Sequence, residues 1–186
     1  MRLLPLLLAS LAALAALAAG AEPAPAAFKF DGDAYHLVDS QKDPQRFAEV
    51  YLRADETLKR YSRRITIADL PGMDDAKKQA QGVFEIAKQR TPGLTPDTYA
   101  AEGDEDRDVI VTWFDLTDDR SAVDYHAARF VALGAGKGVR EYHFVFRRYT
   151  NGEPGDQTLA AVHPIAVYAE KRWLEELARF DRAPAR

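Results

Sequence analysis

The sequence predicts an α+β fold in which a mainly antiparallel sheet is flanked by two principal helices. Strand-like segments occur in two groups, each followed by one helix, rather than alternating singly with helices as in a parallel sheet. Two segments carry apolar residues at helical spacing, and a helix with one apolar side must pack against another layer. A short glycine-rich loop separates the two longest strand-like segments. Such a loop favours antiparallel neighbours, because parallel strands need a longer crossover.

Short strands are predicted before the first helix. Phe28 and Phe30 flank Lys29, which is the two-residue period of a strand. Residues 64–68 are β-branched and alternating, and Leu70-Pro71-Gly72 ends that segment. Together with two further apolar segments, the strands predicted in this region are residues 28–30, 35–38, 48–52 and 64–68.

Residues 73–90 are predicted to form the first helix. Asp74 can cap its N-terminus, with Asp75 in the first turn, and Thr91-Pro92-Gly93 ends it. One stripe of this helix is apolar, since the following residues recur at helical spacing: Ala76, Ala80, Val83, Phe84 and Ala87. The stripe predicts that the helix packs against the sheet.

The second half of the chain is predicted to hold the longer strands and the last helix. Residues 108–116 carry apolar side chains on both faces, which predicts a strand covered on both sides. The last helix is predicted at residues 164–180, with Pro164 in the first position, where a proline is accepted. The other strands predicted here are residues 98–102, 122–133 and 139–149, for a sheet of about five to seven strands.

The N-terminus has the pattern of a secretory signal. Arg2 is followed by an apolar run at residues 3–19, and Ala19-Gly20-Ala21 places small residues where a signal peptidase cleaves. An uncleaved anchor is the alternative, although this run is short for a span of roughly 20 residues. The predicted organisation is a signal peptide at 1–21, a Pro/Ala-rich linker at 22–27 and a single domain at 28–182. We therefore expect a periplasmic or extracellular protein with no stable membrane span after cleavage.

Composition excludes several classes of protein. The chain has 25 Lys+Arg, 29 Asp+Glu and no cysteine, so disulfides, thiol nucleophiles and cysteine-ligated metals are excluded. Its mild acidity argues against a nucleic-acid partner. The sequence contains none of the nucleotide-binding, zinc-protease or serine-hydrolase motifs, and we predict no cofactor.

Histidines occur in a repeated pattern. Two of the four lie in the segments Asp124-Tyr125-His126 and Glu141-Tyr142-His143, in the two longest predicted strands. In an antiparallel hairpin, the residue numbers of every directly opposite pair add up to the same total. If that total is odd, His126 and His143 share one face of the sheet with Asp124. These three side chains can then bind Zn²⁺ or Cu²⁺. An even total separates the two imidazoles across the sheet, and the alternative is that they are ordinary strand residues.

Arginines are the second set of candidate site residues. If one face gathers several of them, a carboxylate or phosphate ligand can bind bidentately. Pairing with surface Asp and Glu is the alternative. The candidates in the hairpin are Arg129, Arg140, Arg147 and Arg148, and a second basic group before the strand at 64–68 contains Lys59, Arg60, Arg63 and Arg64.

One motif carries a resemblance. The pattern Glu56-x-Leu58-x-x-Tyr61-Ser62-Arg63-x-x-Thr66, followed by a capped helix, antiparallel strands and a Trp-bearing last helix, resembles uncharacterised secreted proteins of Gram-negative bacteria. Their organisation is similar to the PsbP-like α/β/α sandwich, although Tyr61 stands where we expect Trp. The resemblance covers most of residues 28–180. It implies a helix-flanked antiparallel sheet that serves in binding or assembly, and it implies no catalytic residue.

The sequence therefore favours a secreted or periplasmic, non-enzymatic binding or interaction module of unknown specific role. Its partner is expected to be a small ligand or another envelope protein. The alternative hypothesis is a metal-dependent enzyme or metal-binding protein that uses the strand histidines.

Overall fold

The computed structural model describes residues 27–91, 94–101 and 106–181, so the predicted signal peptide and most of the predicted linker lie outside the described residues. Within the described ranges the chain forms eight strands and two helices. Their bounds are β1 (Ala27–Phe30), β2 (Asp33–Lys42), β3 (Phe47–Arg53), β4 (Arg63–Leu70), α1 (Ala76–Arg90), β5 (Asp97–Ala100), β6 (Asp108–Leu116), β7 (Ala122–Ala132), β8 (Val139–Tyr149) and α2 (Gly155–Arg179).

All eight strands belong to one antiparallel sheet, in the order β1-β2-β3-β4-β8-β7-β6-β5. The prediction of an α+β fold with a mainly antiparallel sheet and two helices is confirmed. The predicted strand number of five to seven is too low, because the two shortest strands, β1 and β5, also pair and form the two edges of the sheet.

The β7–β8 hairpin aligns its two strands in an odd register. Pairing runs from Ala122 opposite Tyr149 to Ala132 opposite Val139, and the two numbers of each pair add up to an odd total. Residues 134–138 form the loop, in which three glycines adopt a positive φ. The predicted hairpin is therefore confirmed, with the register that places His126 and His143 on one face.

Helix α1 packs on one face of the sheet, over β6 and β7. Ala76 and Ala80 contact an apolar cluster that includes Val109, Val111 and Phe130. The helix begins three residues later than predicted, because Asp75 rather than Asp74 caps it: the Asp75 side chain accepts a hydrogen bond of 2.9 Å from the Lys78 backbone N–H.

Helix α2 packs on the opposite face, so the molecule has three layers. It begins at Gly155 rather than at Pro164, and the prediction of Pro164 as the first residue is wrong. Pro164 lies inside the helix on its exposed side, where water can bond the carbonyl that lacks a partner. The turns before Pro164 bury Thr158 and Val162. This burial favours a helix that begins before the proline.

The face under α2 holds the main core. Trp173 is 1% exposed, and its ring centroid lies 5.1 Å from that of Phe144 and 5.5 Å from that of Tyr125. Aromatic and aliphatic side chains from seven strands form this core with it: Phe30, Tyr35, Tyr51, Ile65, Ile67, Ile110, Tyr125, Tyr142 and Phe144. In the part of the chain that the structure describes, neither helix is long and apolar enough to cross a membrane.

The motif at residues 56–66 closes the loop between β3 and β4. Glu56 Oε1 accepts hydrogen bonds of 2.7 Å from both the backbone N–H and the hydroxyl of Ser62. Arg63 donates to Asp31, which also accepts a hydrogen bond of 2.8 Å from the indole of Trp173. The motif that carries the resemblance therefore connects this loop to β1 and α2, which is a structural role.

Gly138 provides a test of the hairpin geometry. A Cβ at this position would lie 2.4 Å from the Leu70 carbonyl oxygen and 2.7 Å from Pro71 Cα, and its φ is +89°. Gly134 has a similar φ of +100° but no atom within 4 Å. We expect Gly134→Ala to lower the free energy of unfolding by about 1–2 kcal/mol, and Gly138→Ala by about 2 kcal/mol more, because backbone atoms must move. Urea unfolding of both variants measures this difference, and equal losses would contradict the close packing of the loop on β4.

Candidate functional site

The candidate site lies on the face of the sheet that carries α1. This helix covers β6 and β7 and leaves much of β4 and β8 without a helix above them. Four neighbouring strands place one residue each in a single row across this face. The row, called here the Arg64–His126 row, consists of Arg64, Val145, His126 and Trp113.

Two histidines meet at the centre of this site. His126 Nδ1 and His143 Nε2 are 3.0 Å apart, which is a hydrogen bond between the two imidazoles. The His126 ring stacks on Trp113 with a centroid distance of 4.5 Å and an interplanar angle of 1°. The pair is thus held by one hydrogen bond and one aromatic surface.

An acidic side chain lies at each end of the histidine pair. Asp124 Oδ2 is 4.0 Å from His126 Nε2, and Glu141 Oε1 is 3.6 Å from His143 Nδ1. Because β7 and β8 run in opposite directions, the two acid-Tyr-His segments are related by a local two-fold rotation. The histidines face each other at the centre and the acids lie outside. Tyr125 and Tyr142 point to the opposite face, into the core under α2.

Burial keeps this site neutral at its centre. Burial and the nearby charges of Arg64 and Arg147 lower the pKa of His126 to about 3. Burial also lowers the pKa of His143 well below its usual value. Both imidazoles are therefore neutral near pH 7, so one ring N–H donates to the other ring. Burial raises the pKa of the Glu141 carboxyl, although Arg46 opposes that shift.

The geometry gives little support to a metal ion at this site. Both acids lie beside the outer ring nitrogens, whereas the nitrogens that face each other have no carboxylate between them. Asp124 is also bound at both oxygens by Arg147, with distances of 2.7 and 2.6 Å. No group of three or more potential metal ligands occurs within the described residues. Metal binding by His126, His143 and Asp124 stays a prediction.

The four predicted ligand-binding arginines of the hairpin do not come together. Arg129 is buried under α2, where it pairs with Asp108 and donates to the Leu177 carbonyl, and Arg140 pairs with Asp69 on that same face. Arg147 lies on the other face, beside the histidines, and Arg148 is exposed near the end of β8. The four side chains therefore do not line one common site in this arrangement, and ligand binding by any of them stays a prediction.

Arg64, from the second basic group, is the arginine that reaches the histidine site without an ion pair to a described residue. Its guanidinium carbon lies 5.1 Å from the centroid of the Tyr61 ring, and that of Arg147 lies 4.4 Å from the same ring. Arg147 has an ion pair with Asp124, but Arg64 has none with any described residue. Its Nε is buried without a hydrogen-bond partner, as is Nε2 of His126.

Sequence reasoning missed the residues that support this site. Trp113 was not connected to His126, and Tyr61 was noted only for its place in the motif. The alternation of β6 predicts which face of the sheet carries Trp113. It does not predict the contact with His126, because that depends on the register that pairs β6 with β7. Tyr61 lies in a loop, where no periodicity indicates the direction of a side chain.

A second unexplained surface is the outer side of α2. Three large apolar side chains are exposed there: Ile165, Val167 and Tyr168, the last at 89%. Nothing in the described residues indicates which partner covers this patch.

Comparison with known proteins assigns the chain to a family. A sequence model of a protein family matches residues 23–181. The chain belongs to that family, an uncharacterised one typical of Gram-negative bacteria. No curated protein matches the chain, and no solved structure matches it either.

The histidine pair predicts a specific pH dependence of stability. Between about pH 3 and 6.5 the unfolded chain binds protons that the buried imidazoles reject, so stability falls as the pH is lowered through this window. We expect a loss of about 2–4 kcal/mol between pH 7 and 5. The variant carrying both His126→Gln and His143→Gln should lose much less. Urea unfolding at several pH values measures both slopes, and identical slopes would contradict neutral buried imidazoles.

Proposed function

We propose that this protein is an exported, non-enzymatic binding module whose ligand contacts the α1-side face at Arg64. The observation that carries the proposal is the contrast between Arg64 and Arg147. Both guanidinium groups lie on the Tyr61 ring, but only Arg147 has a carboxylate partner. A buried donor without a partner costs about 1–3 kcal/mol. A binding site is a place where such a cost persists, because the ligand supplies the missing partner.

Export is part of this proposal. The charged start, the apolar run at residues 3–19 and Ala19-Gly20-Ala21 support a cleaved signal peptide. Membership of a family typical of Gram-negative bacteria makes the periplasm the favoured destination. The PsbP-like organisation also belongs to the proposal, and it is supported by the position of one helix on each face of the antiparallel sheet.

Metal binding is the second candidate function, because two histidines and Asp124 lie near one another on one face. Elemental analysis of the purified protein decides between the candidates. About one Zn or Cu per chain in the wild type, lost in His126→Phe, would replace the proposal with a metal site. A metal-free protein whose melting temperature does not respond to Zn²⁺ or Cu²⁺ supports the proposal.

A pair of matched variants tests whether Arg64 is kept for binding. We expect Arg64→Met to leave the free energy of unfolding unchanged, or to raise it by up to about 1 kcal/mol, because it removes an unpartnered buried donor. We expect Arg147→Met to lower it by about 2–4 kcal/mol, because Asp124 is left buried without its partner.

Chemical denaturation of both variants, without any added ligand, provides the measurement. If Arg64→Met is destabilised as strongly as Arg147→Met, Arg64 is a structural residue and the proposed function fails.

A further inference from the structure

We infer that the ligand carries an oxyanion, a carboxylate or a phosphate group, which binds between the guanidinium of Arg64 and Nε2 of His126. This inference rests on the proposed function of the α1-side face. It specifies the chemistry of the ligand, and it makes Arg64 and His126 the residues that recognise it.

The first argument is the charge of the site. His126 and His143 are neutral, and Arg147 and Asp124 neutralise each other across two hydrogen bonds. Around this centre, the other cations also have acidic partners: Arg90 pairs with Asp115 and Asp118, and Arg46 pairs with Glu141. The positive charge of Arg64 is thus the excess charge, and an anion balances it.

The second argument is the position of the two unpartnered atoms. Arg64 and His126 lie on the same face, two strands apart, on either side of Val145. Adjacent strands are about 4.8 Å apart, so the Cα atoms of Arg64 and His126, which are two strands apart, are separated by about 10 Å. Two long side chains can close this gap around one small group. Val145 is fully buried and apolar, so its side chain cannot bond either atom. A ligand oxygen between them would satisfy both.

The third argument concerns the proton on His126. An oxyanion requires Nε2 of His126 to carry hydrogen, which means that His143 Nε2–H donates to His126 Nδ1. His143 Nδ1 is then without a proton and lies 3.6 Å from Glu141 Oε1, and burial raises the pKa of that carboxyl. The hydrogen bond between the two imidazoles is thereby directed from His143 to His126, which leaves the Nε2–H of His126 for the ligand.

Arg64 also provides access to the site. Its side chain is half-buried, and its contact with the Tyr61 ring is a weak interaction of about 0.5–1 kcal/mol. Rotation of this side chain away from Tyr61 exposes Nε, and the planar guanidinium can then bind two oxygens of a carboxylate or phosphate side by side. A lysine has the charge of Arg64 but lacks this geometry.

Titration calorimetry of the purified protein with sodium phosphate and with sodium succinate, at constant ionic strength, tests the inference. We expect at least one anion to bind, about 10-fold more weakly to Arg64→Gln and about 3-fold or more weakly to Arg64→Lys and to His126→Phe. The control is Arg148→Gln, which removes an exposed arginine near the end of β8 and should bind within about 2-fold of the wild type. Preference for phosphate or for succinate identifies the group.

Two results would overturn the inference. One is anion binding that is equal in the wild type and in Arg64→Gln, which would indicate unspecific association. The other is no binding of either anion up to about 50 mM. If Arg64→Met nevertheless keeps full stability, the proposed binding function survives with a neutral ligand. If Arg64→Met is strongly destabilised, the proposed function fails as well.

Discussion

The register of the β7–β8 hairpin is the constraint on which the rest of this structure depends. Side chains alternate between the two faces of a sheet, so a shift of one strand by one residue would move every side chain of that strand to the other face. Such a shift would separate His126 from His143 and would move the tyrosines of one strand out of the core under α2. The loop at residues 134–138 contributes to this register, because Gly138 fits against the end of β4 with no room for a side chain.

That register gives the two faces of the sheet different properties. One face holds the main apolar core around Trp173 and is closed by the long helix α2. The other face is covered by a shorter helix over β6 and β7, and beside that helix the sheet displays imidazoles, guanidinium groups and carboxylates. Stability is concentrated on the first face, so the second can tolerate an unpartnered cation. In this division the loop contacts of Ser62 are structural, whereas Arg64, two residues further along the chain in β4, is a candidate for binding.

Much of the fold follows from the sequence, but the site follows only in part. Alternation in β6 and β8, the apolar stripe of α1 and the glycine loop identify their elements, because each pattern reflects burial on a known side. Helix α2 was predicted too short, because Pro164 was interpreted as its first residue, whereas the helix begins at Gly155 and its earlier turns bury Val162. Whether His126 and His143 share a face depends on whether the residue numbers of opposite residues in β7 and β8 add up to an odd or an even total. No local signal in the sequence decides this. Arg64 could be named as a basic residue, but its lack of a partner is a property of the neighbouring strands.

The direct test of this account is NMR spectroscopy of protein labelled with ¹⁵N in its histidines. Scalar coupling across the hydrogen bond between His126 Nδ1 and His143 Nε2 reports their contact and therefore the register of the hairpin. The account predicts this coupling at pH 7, with one protonated nitrogen on each ring and with the proton of His126 on Nε2. The absence of coupling in a folded protein, with both imidazoles titrating near their ordinary pKa, would contradict it.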